Sequence, residues 1–202
     1  MPRRLPAIDP YGCYHVSTRG NFGMPLFTTP AEHELYLALY ERHALQRAWV
    51  TLAWCLIWNH YHFVIQLRGD GLSDGMRAIN HGFSRRINAI HGRTGTGHAV
   101  RHSFYAGEIT TDEQLAVTCR YVDLNAAEAN LCERPEDWRW SGYAATLGLA
   151  RPRRFHNPLD LLDRFASDPD SARIAYRGFV TRGTPFPGKG YESATSPVGR
   201  RG

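Results

Sequence analysis

The sequence lacks the cysteine spacing of a zinc ribbon or a redox dithiol. Its four cysteines, Cys13, Cys55, Cys119 and Cys132, form no C-x-x-C pair, which argues against both kinds of site. It also lacks an uninterrupted apolar run of membrane length, and no charged segment precedes an apolar one near its start. We therefore expect a cytoplasmic protein with reduced thiols and no membrane partner.

Lysine is almost absent as well. Lys189 is the only lysine among 24 basic residues, so arginine carries nearly all the positive charge. Arginine binds phosphate through two parallel hydrogen bonds, and the net charge of +5 fits a nucleic-acid partner. A GC-rich coding sequence would produce the same arginine bias. Apolar residues are plentiful at 43%, which excludes a wholly disordered chain.

Hydrophobic periodicity and capping residues predict alternating strands and helices. Strands are predicted at 14–18, 49–57, 60–67 and 104–109, with a tight turn joining the second and third. A helix opened by Thr29, Pro30 and Glu32 follows the first strand, and a helix capped by Ser73 follows the third. The capping box of Thr111 and Gln114 opens a last helix after the fourth strand. The order of the first six elements predicts an α+β fold of the ferredoxin-like type, an antiparallel sheet with helices on one face.

The composition changes after the Trp-rich segment near residue 140. We expect residues 1–150 to form one domain and residues 151–182 to form a helical C-terminal extension. Residues 183–202 are rich in Gly, Pro, Ser and Thr and poor in apolar residues. This composition predicts a disordered tail.

Two histidines in the third predicted strand are candidate metal ligands. Residues two apart on a strand point to the same face, so His60 and His62 project together while Tyr61 and Phe63 face the opposite side. Two imidazoles placed in this way can share one divalent ion. The same pattern also fits partly buried histidines with a structural role, and the motif alone does not decide between the two.

The last predicted helix carries a polar stripe, formed by Gln114, Thr118, Tyr121, Asn125 and Glu128. The Tyr121 oxygen can act as a nucleophile if a metal polarises a phosphate and absorbs developing charge. The Asn125 carbonyl oxygen, one turn away, is a suitable further ligand for Mg²⁺ or Mn²⁺. The alternative for Tyr121 is ordinary amphipathic packing with its hydroxyl in water.

Two pairs of polar residues are candidate DNA contacts. Arg19 and Asn21 follow the first predicted strand and could hold DNA, although an Arg-Gly-Asn stretch also fits a strand bulge. Arg85 and Arg86 lie on the exposed face of a predicted helix. They could contact phosphate or simply form a solvated face.

Four blocks of the sequence together resemble the HUH-type single-tyrosine transposases, and within them the REP-associated tyrosine transposases. The blocks are Tyr14–Asn21, Leu26–Phe27, Cys55–His62 and Tyr121–Asn125. The resemblance covers about residues 9 to 145, roughly two-thirds of the chain. It lies in the order and spacing of the blocks, which is more specific than any one of them.

The resemblance implies a ferredoxin-like fold and an active site. It implies that His60 and His62 bind a divalent ion, that Tyr121 is the nucleophile, and that Asn125 completes the metal site. It also implies that the substrate is single-stranded DNA with hairpins, cut to leave a 5′-phosphotyrosine. A homodimer is left open.

The chain departs from the family pattern at two places. Trp58 stands where the family usually has proline before Asn-His, and Ala126-Ala127 stands where it usually has Pro-Val. Neither change removes a catalytic atom, and without proline the helix can continue past Asn125. Two other functions fit the same residues: a non-catalytic regulator that binds nucleic-acid hairpins, and a metal-dependent phosphodiesterase that uses water.

Overall fold

The computed structural model describes residues 8–93, 97–101 and 104–183. Apart from Gly183, the predicted tail at 183–202 lies outside the described residues. The strands are β1 (Cys13–Arg19), β2 (Val50–Ile57), β3 (His60–Gln66) and β4 (Tyr105–Ile109). The helices are α1 (Pro30–Gln46), α2 (Leu72–Ile90), α3 (Asp112–Glu128), α4 (Tyr143–Thr146), α5 (Leu159–Leu162) and α6 (Pro169–Arg182).

The four strands form one sheet in the order β2-β3-β1-β4, and every neighbouring pair is antiparallel. This is the topology of a ferredoxin-like plait, so the predicted α+β fold is confirmed. The register sets Ser17 of β1 and Cys55 of β2 on either side of His62, and sets Arg19 opposite His60. Both histidines therefore lie on a central strand of the sheet.

Helix α1 begins as its sequence predicts. The Thr29 side chain accepts a hydrogen bond from the Glu32 backbone N–H, and the Glu32 carboxylate accepts one from the Thr29 backbone N–H. This reciprocal capping box satisfies two N–H groups that the first helical turn leaves unpaired.

Helix α2 starts differently from the prediction, whereas α3 starts as predicted but with an incomplete capping box. Helix α2 begins at Leu72 after Gly71, whose φ of 97° belongs to the left-handed region, so the predicted cap at Ser73 is wrong. Glycine adopts that backbone without steric cost, which lets the chain enter the helix earlier. Thr111 caps α3 as predicted, but the Gln114 side chain accepts from the Thr110 N–H, so the capping box is incomplete.

Strand alternation divides the sheet into two apolar faces. Tyr61, Phe63 and Ile65 pack against α1 and α2 on one face. These are the two helices that the ferredoxin-like pattern places on one side. On the opposite face Val64 packs in a second cluster with residues of α3 and α6. Helix α3 therefore covers the face to which His60 and His62 project.

The outer edge of β2 is covered by the C-terminal third of the chain. The Thr51 N–H donates to the Phe155 carbonyl at 3.1 Å, and the Asn157 N–H donates to the Thr51 carbonyl at 3.0 Å. The Leu56 N–H donates to the Trp140 carbonyl at 2.9 Å. These bonds satisfy backbone groups that an edge strand would otherwise expose.

The segment assigned to a C-terminal extension, residues 151–182, shares the second core. Tyr176 and Phe179 of α6 are buried in the same apolar cluster as Leu115 and Cys119 of α3. The division of the chain at residue 150 remains a prediction. No helix in the three described ranges has the length and apolar content needed to cross a membrane.

The stability of the folded chain is expected to fall at acidic pH partly because of His156. Burial lowers the pKa of His156 to about 4, and its Nδ1 is buried without a hydrogen-bond partner. The unfolded chain binds this proton from about pH 6.5 downwards, so stability is full above that pH and is lost as the pH falls toward 4. We expect His156 alone to remove about 2 kcal/mol between pH 7.5 and pH 5.

His156→Gln isolates this contribution, because glutamine can still donate to the Leu52 carbonyl that His156 Nε2 contacts at 3.3 Å. Urea unfolding at the two pH values should show a smaller pH effect in the variant than in the wild type. An equal pH effect in both proteins would contradict the role given to His156.

Candidate active site between the sheet and helix α3

The structure brings His60 and His62 together on the face of the sheet that α3 covers. Their ring centroids are 4.9 Å apart and their planes are perpendicular. His62 is only 6% exposed, whereas His60 is partly exposed. His62 therefore lies at the buried end of this polar site, and His60 lies nearer to solvent.

Each of the two rings makes a hydrogen bond through its Nδ1. His60 Nδ1 lies 2.7 Å from the side-chain oxygen of Asn59. Because that oxygen only accepts, Nδ1 carries the proton and Nε2 keeps its lone pair. His62 Nδ1 lies 2.9 Å from Nε2 of His15, and the opposite nitrogen, His62 Nε2, is buried with no hydrogen-bond partner.

Helix α3 adds a tyrosine and an amide to the histidines. Leu115, Cys119 and Val122 bury the apolar side of this helix against the sheet. Tyr121, on the adjoining side, places its ring centroid 5.3 Å from that of His62 and remains 43% exposed. Asn125 follows one turn later, is 7% exposed, and has a side-chain oxygen that is buried without a partner.

The environment keeps the site histidines neutral near pH 7. Burial, together with the neighbouring His15, His60 and Arg19, lowers the pKa of His62 to about 2. Burial also lowers the pKa of His15 to about 4. The pKa of His60 is lowered by burial and by Arg19, an effect that the Asn125 amide partly offsets. A neutral imidazole is the form that binds a metal.

These residues fit a divalent ion. The Nε2 lone pair of His60, the unpartnered His62 Nε2 and the side-chain oxygen of Asn125 would supply two nitrogen ligands and one oxygen ligand. Among residues 8–93, 97–101 and 104–183, which the structure describes, no group of three His, Cys, Asp or Glu side chains is arranged to hold a metal. The donor set therefore depends on the amide of Asn125.

The predicted DNA contacts Arg19 and Asn21 lie at the His60 end of the sheet. Arg19 is exposed, pairs with His60 across β1 and β3, and is close enough to lower the pKa of both site histidines. Asn21 begins a single 3₁₀ turn, Asn21–Gly23, and its backbone N–H donates to the Ala99 carbonyl at 2.8 Å. The Arg-Gly-Asn stretch is thus a strand end followed by a turn, not a bulge.

Arg85 and Arg86 are not part of this site. Both are exposed on α2, which packs on the opposite face of the sheet from the histidines. One Arg86 guanidinium nitrogen donates to the Gly82 carbonyl of its own helix at 3.2 Å. A contact of either arginine with DNA remains a prediction, and it would lie away from His60 and His62.

Two residues that the sequence did not single out border the histidines. His15 contacts His62 from β1, and its ring centroid lies 6.0 Å from that of Tyr121. Tyr105 on β4 lies edge-on to His15, at a centroid distance of 5.9 Å. Alternation along β1 predicts only that His15 points to the opposite face from Tyr14 and Val16. The pairing of β1 with β3 is what brings His15 to His62.

Comparison with known proteins places this fold beside a transposase. No protein-family model matches the sequence, and no curated protein matches it. The structure of a REP-associated tyrosine transposase bound to a REP hairpin matches with a TM-score of 0.62 and 17% identity, over 74% of this chain and 88% of that one. A candidate transposase from Deinococcus radiodurans R1 matches with a TM-score of 0.41 and 11% identity, over 58% of this chain and 92% of that one. The chain therefore has the fold of a REP-associated tyrosine transposase, as its sequence blocks implied.

Proposed function

We propose that this protein is a transposase-type enzyme that cleaves and rejoins single-stranded DNA through a covalent bond to Tyr121. The observation that supports this most directly is the Tyr121 ring packed 5.3 Å from His62, beside the unpartnered His62 Nε2 and Asn125 oxygen. A nucleophile and a set of free metal ligands on one face of a sheet is what phosphoryl transfer to tyrosine requires.

The proposed site uses His60, His62 and Asn125 to hold one Mg²⁺ or Mn²⁺ ion. When bound, such an ion polarises the scissile phosphate and stabilises the negative charge that develops on it. Asn59 orients the His60 ring and His15 orients the His62 ring, each through a hydrogen bond to Nδ1. Tyr121 is 43% exposed, so a DNA strand that enters from solvent can reach this side chain.

In the proposed reaction the Tyr121 oxygen attacks phosphorus in line with the leaving 3′ oxygen. The P–O3′ bond breaks as the bond from phosphorus to tyrosine forms, giving a 5′-phosphotyrosine and a free 3′-hydroxyl. The proton lost by the phenol is balanced by the proton gained by the 3′ oxygen, so the step consumes no water. Because a phosphodiester is retained, a later 3′-hydroxyl can reverse the step and join a new strand.

The proposed substrate is single-stranded DNA that carries a hairpin. Arg19 lies at the edge of the site and is exposed, so it can contact a phosphate of the entering strand. The fold shared with a transposase bound to a REP hairpin supports this substrate class. We place the activity in the cytoplasm, and one chain carries all the site residues named above.

Incubation with end-labelled, hairpin-flanked single strands and Mn²⁺ tests the proposal. A denaturing gel should show a cleaved strand and a slower band of protein-bound DNA, and EDTA should abolish both. Binding without cleavage, unchanged by EDTA, would instead indicate a non-catalytic regulator. Cleavage without a protein-bound band would indicate hydrolysis by water. Either result would refute the tyrosine mechanism.

His15 is expected to act as a positioning residue for His62. His15→Phe keeps an aromatic ring but removes the nitrogen that hydrogen-bonds to His62 Nδ1, so we expect Mn²⁺ affinity to fall about 10- to 100-fold. His15→Gln retains an acceptor oxygen and should lose less. Calorimetric titration with Mn²⁺ measures both, and thermal unfolding without metal shows whether the fold is intact. Equal Mn²⁺ affinity in the wild type and His15→Phe would contradict this role.

A further inference from the structure

An exposed aromatic ring lies beside the candidate active site without a part in the chemistry proposed for Tyr121. Tyr105 of β4 pairs with Ser17 of β1, and Ser17 in turn pairs with His62 of β3. Tyr105 thus shares a row of the sheet with His62 and contacts the ring of His15 edge-on. It is nevertheless 61% exposed.

The Tyr105 ring has a defined place on the sheet because the neighbouring strand position is glycine. A Cβ built on Gly107 would lie 2.3 Å from the Tyr105 hydroxyl oxygen and 2.8 Å from its Cζ. The ring therefore lies along β4, directly over the Gly107 backbone, with His15 at its edge. Its contacts with β4 and His15 hold the ring in place, and its large exposed fraction leaves it available for stacking.

The surroundings of this ring match an unpaired nucleobase better than an apolar partner. Tyr105 and Tyr121 each lie about 6 Å from the His15 ring, at centroid distances of 5.9 and 6.0 Å. Both tyrosines border the same histidine, so a DNA strand whose phosphate meets Tyr121 would pass close to the Tyr105 ring. Aromatic side chains next to cationic groups bind single-stranded DNA by stacking, which tolerates any base. Arg19 supplies such a cation on β1, two residues after Ser17.

We propose that Tyr105 is a stacking platform for one unpaired base adjacent to the phosphate that Tyr121 attacks. The proposal rests on the proposed function and names a subsite for its DNA substrate. It assigns the role to the face of the ring rather than to the hydroxyl. Tyr105 is then a binding residue, and Tyr121 remains the nucleophile.

The test is binding of a short single strand to the wild-type protein in EDTA, measured by fluorescence anisotropy and by quenching of 2-aminopurine placed near the cleavage position. Tyr105→Ala should bind about tenfold more weakly and lose the quenching, because it removes one base–aromatic stack. Tyr105→Phe should stay within about twofold of the wild type. Gly107→Ala, whose added methyl displaces the ring, should resemble Tyr105→Ala.

Tyr11→Ala is the matched control. Tyr11 is a 71% exposed tyrosine before the opposite end of β1, and its replacement should leave binding and quenching unchanged. The platform is refuted if Tyr105→Ala binds like the wild type, or if Tyr105→Phe is as weak as Tyr105→Ala. A wild-type protein that does not bind single strands would refute the proposed function together with the platform. Strand binding that depends on the Tyr105 ring without formation of a covalent adduct would refute only the cleavage mechanism.

Discussion

Tyr121→Phe is expected to form no covalent adduct with hairpin-flanked DNA while it binds that DNA as tightly as the wild type. The substitution removes the nucleophilic oxygen and leaves the ring in its place against His62. Because Tyr121 is 43% exposed and its ring is retained, the free energy of unfolding should change by no more than about 0.5 kcal/mol. Denaturing gels report the adduct, and anisotropy reports the binding.

Tyr143→Phe is the control for loss of a tyrosine hydroxyl. Tyr143 is buried on α4 among residues of α3 and α6, and its hydroxyl has no hydrogen-bond partner. This variant should form the adduct at the wild-type rate. An adduct that persists at wild-type level in Tyr121→Phe would exclude Tyr121 as the nucleophile.

His62→Ala is expected to remove both the metal response and the cleavage. A ligand present at 100 times its dissociation constant stabilises a folded protein by about 2.7 kcal/mol, so saturating Mn²⁺ should raise the Tm of the wild type by several degrees. His62→Ala should show almost no rise, because the unpartnered Nε2 is lost. The rate of adduct formation by His62→Ala should fall at least about 100-fold, because a residue that binds the ion directly matters at least as much as the groups that orient it.

His60→Ala should behave in the same way, whereas His81→Ala should keep the full response to Mn²⁺. His81 is an exposed histidine on α2, which packs on the other face of the sheet. The truncation of His62 leaves a small cavity, so the Tm of the His62→Ala protein without metal is also lower than that of the wild type. The informative quantity is therefore the change in Tm on adding Mn²⁺. A full wild-type shift in both His62→Ala and His60→Ala would contradict the metal site.

The parts of this structure that the sequence predicted depend on local periodicity. Alternation along β3 is enough to place His60 and His62 on one face, and helical spacing is enough to place Tyr121 and Asn125 one turn apart. The capping box at Thr29 is equally local. Each of these features involves residues close together in the chain, so a single sequence carries the whole signal.

The parts that the sequence missed depend on pairing between distant segments. His15 and Tyr105 reach the site only through the register of β1 with β3 and β4, across 47 residues for the His15–His62 hydrogen bond. An amphipathic pattern also does not say which face of a sheet its helix will cover. Arg85 and Arg86 therefore look equivalent to Arg19 in the sequence, although α2 lies on the far side of the sheet.

Mapping of the covalent adduct tests the central claim most directly. Wild-type protein is allowed to react with a hairpin-flanked single strand and Mn²⁺, the DNA is trimmed with nuclease, and the tryptic peptides are analysed by mass spectrometry. Arg120 separates Tyr105 and Tyr121 into different peptides, and Arg139 separates Tyr121 from Tyr143. We expect the nucleotide phosphate on the peptide that begins at Tyr121. A phosphate on the peptide that contains Tyr105 or on the one that contains Tyr143 would contradict the proposed mechanism.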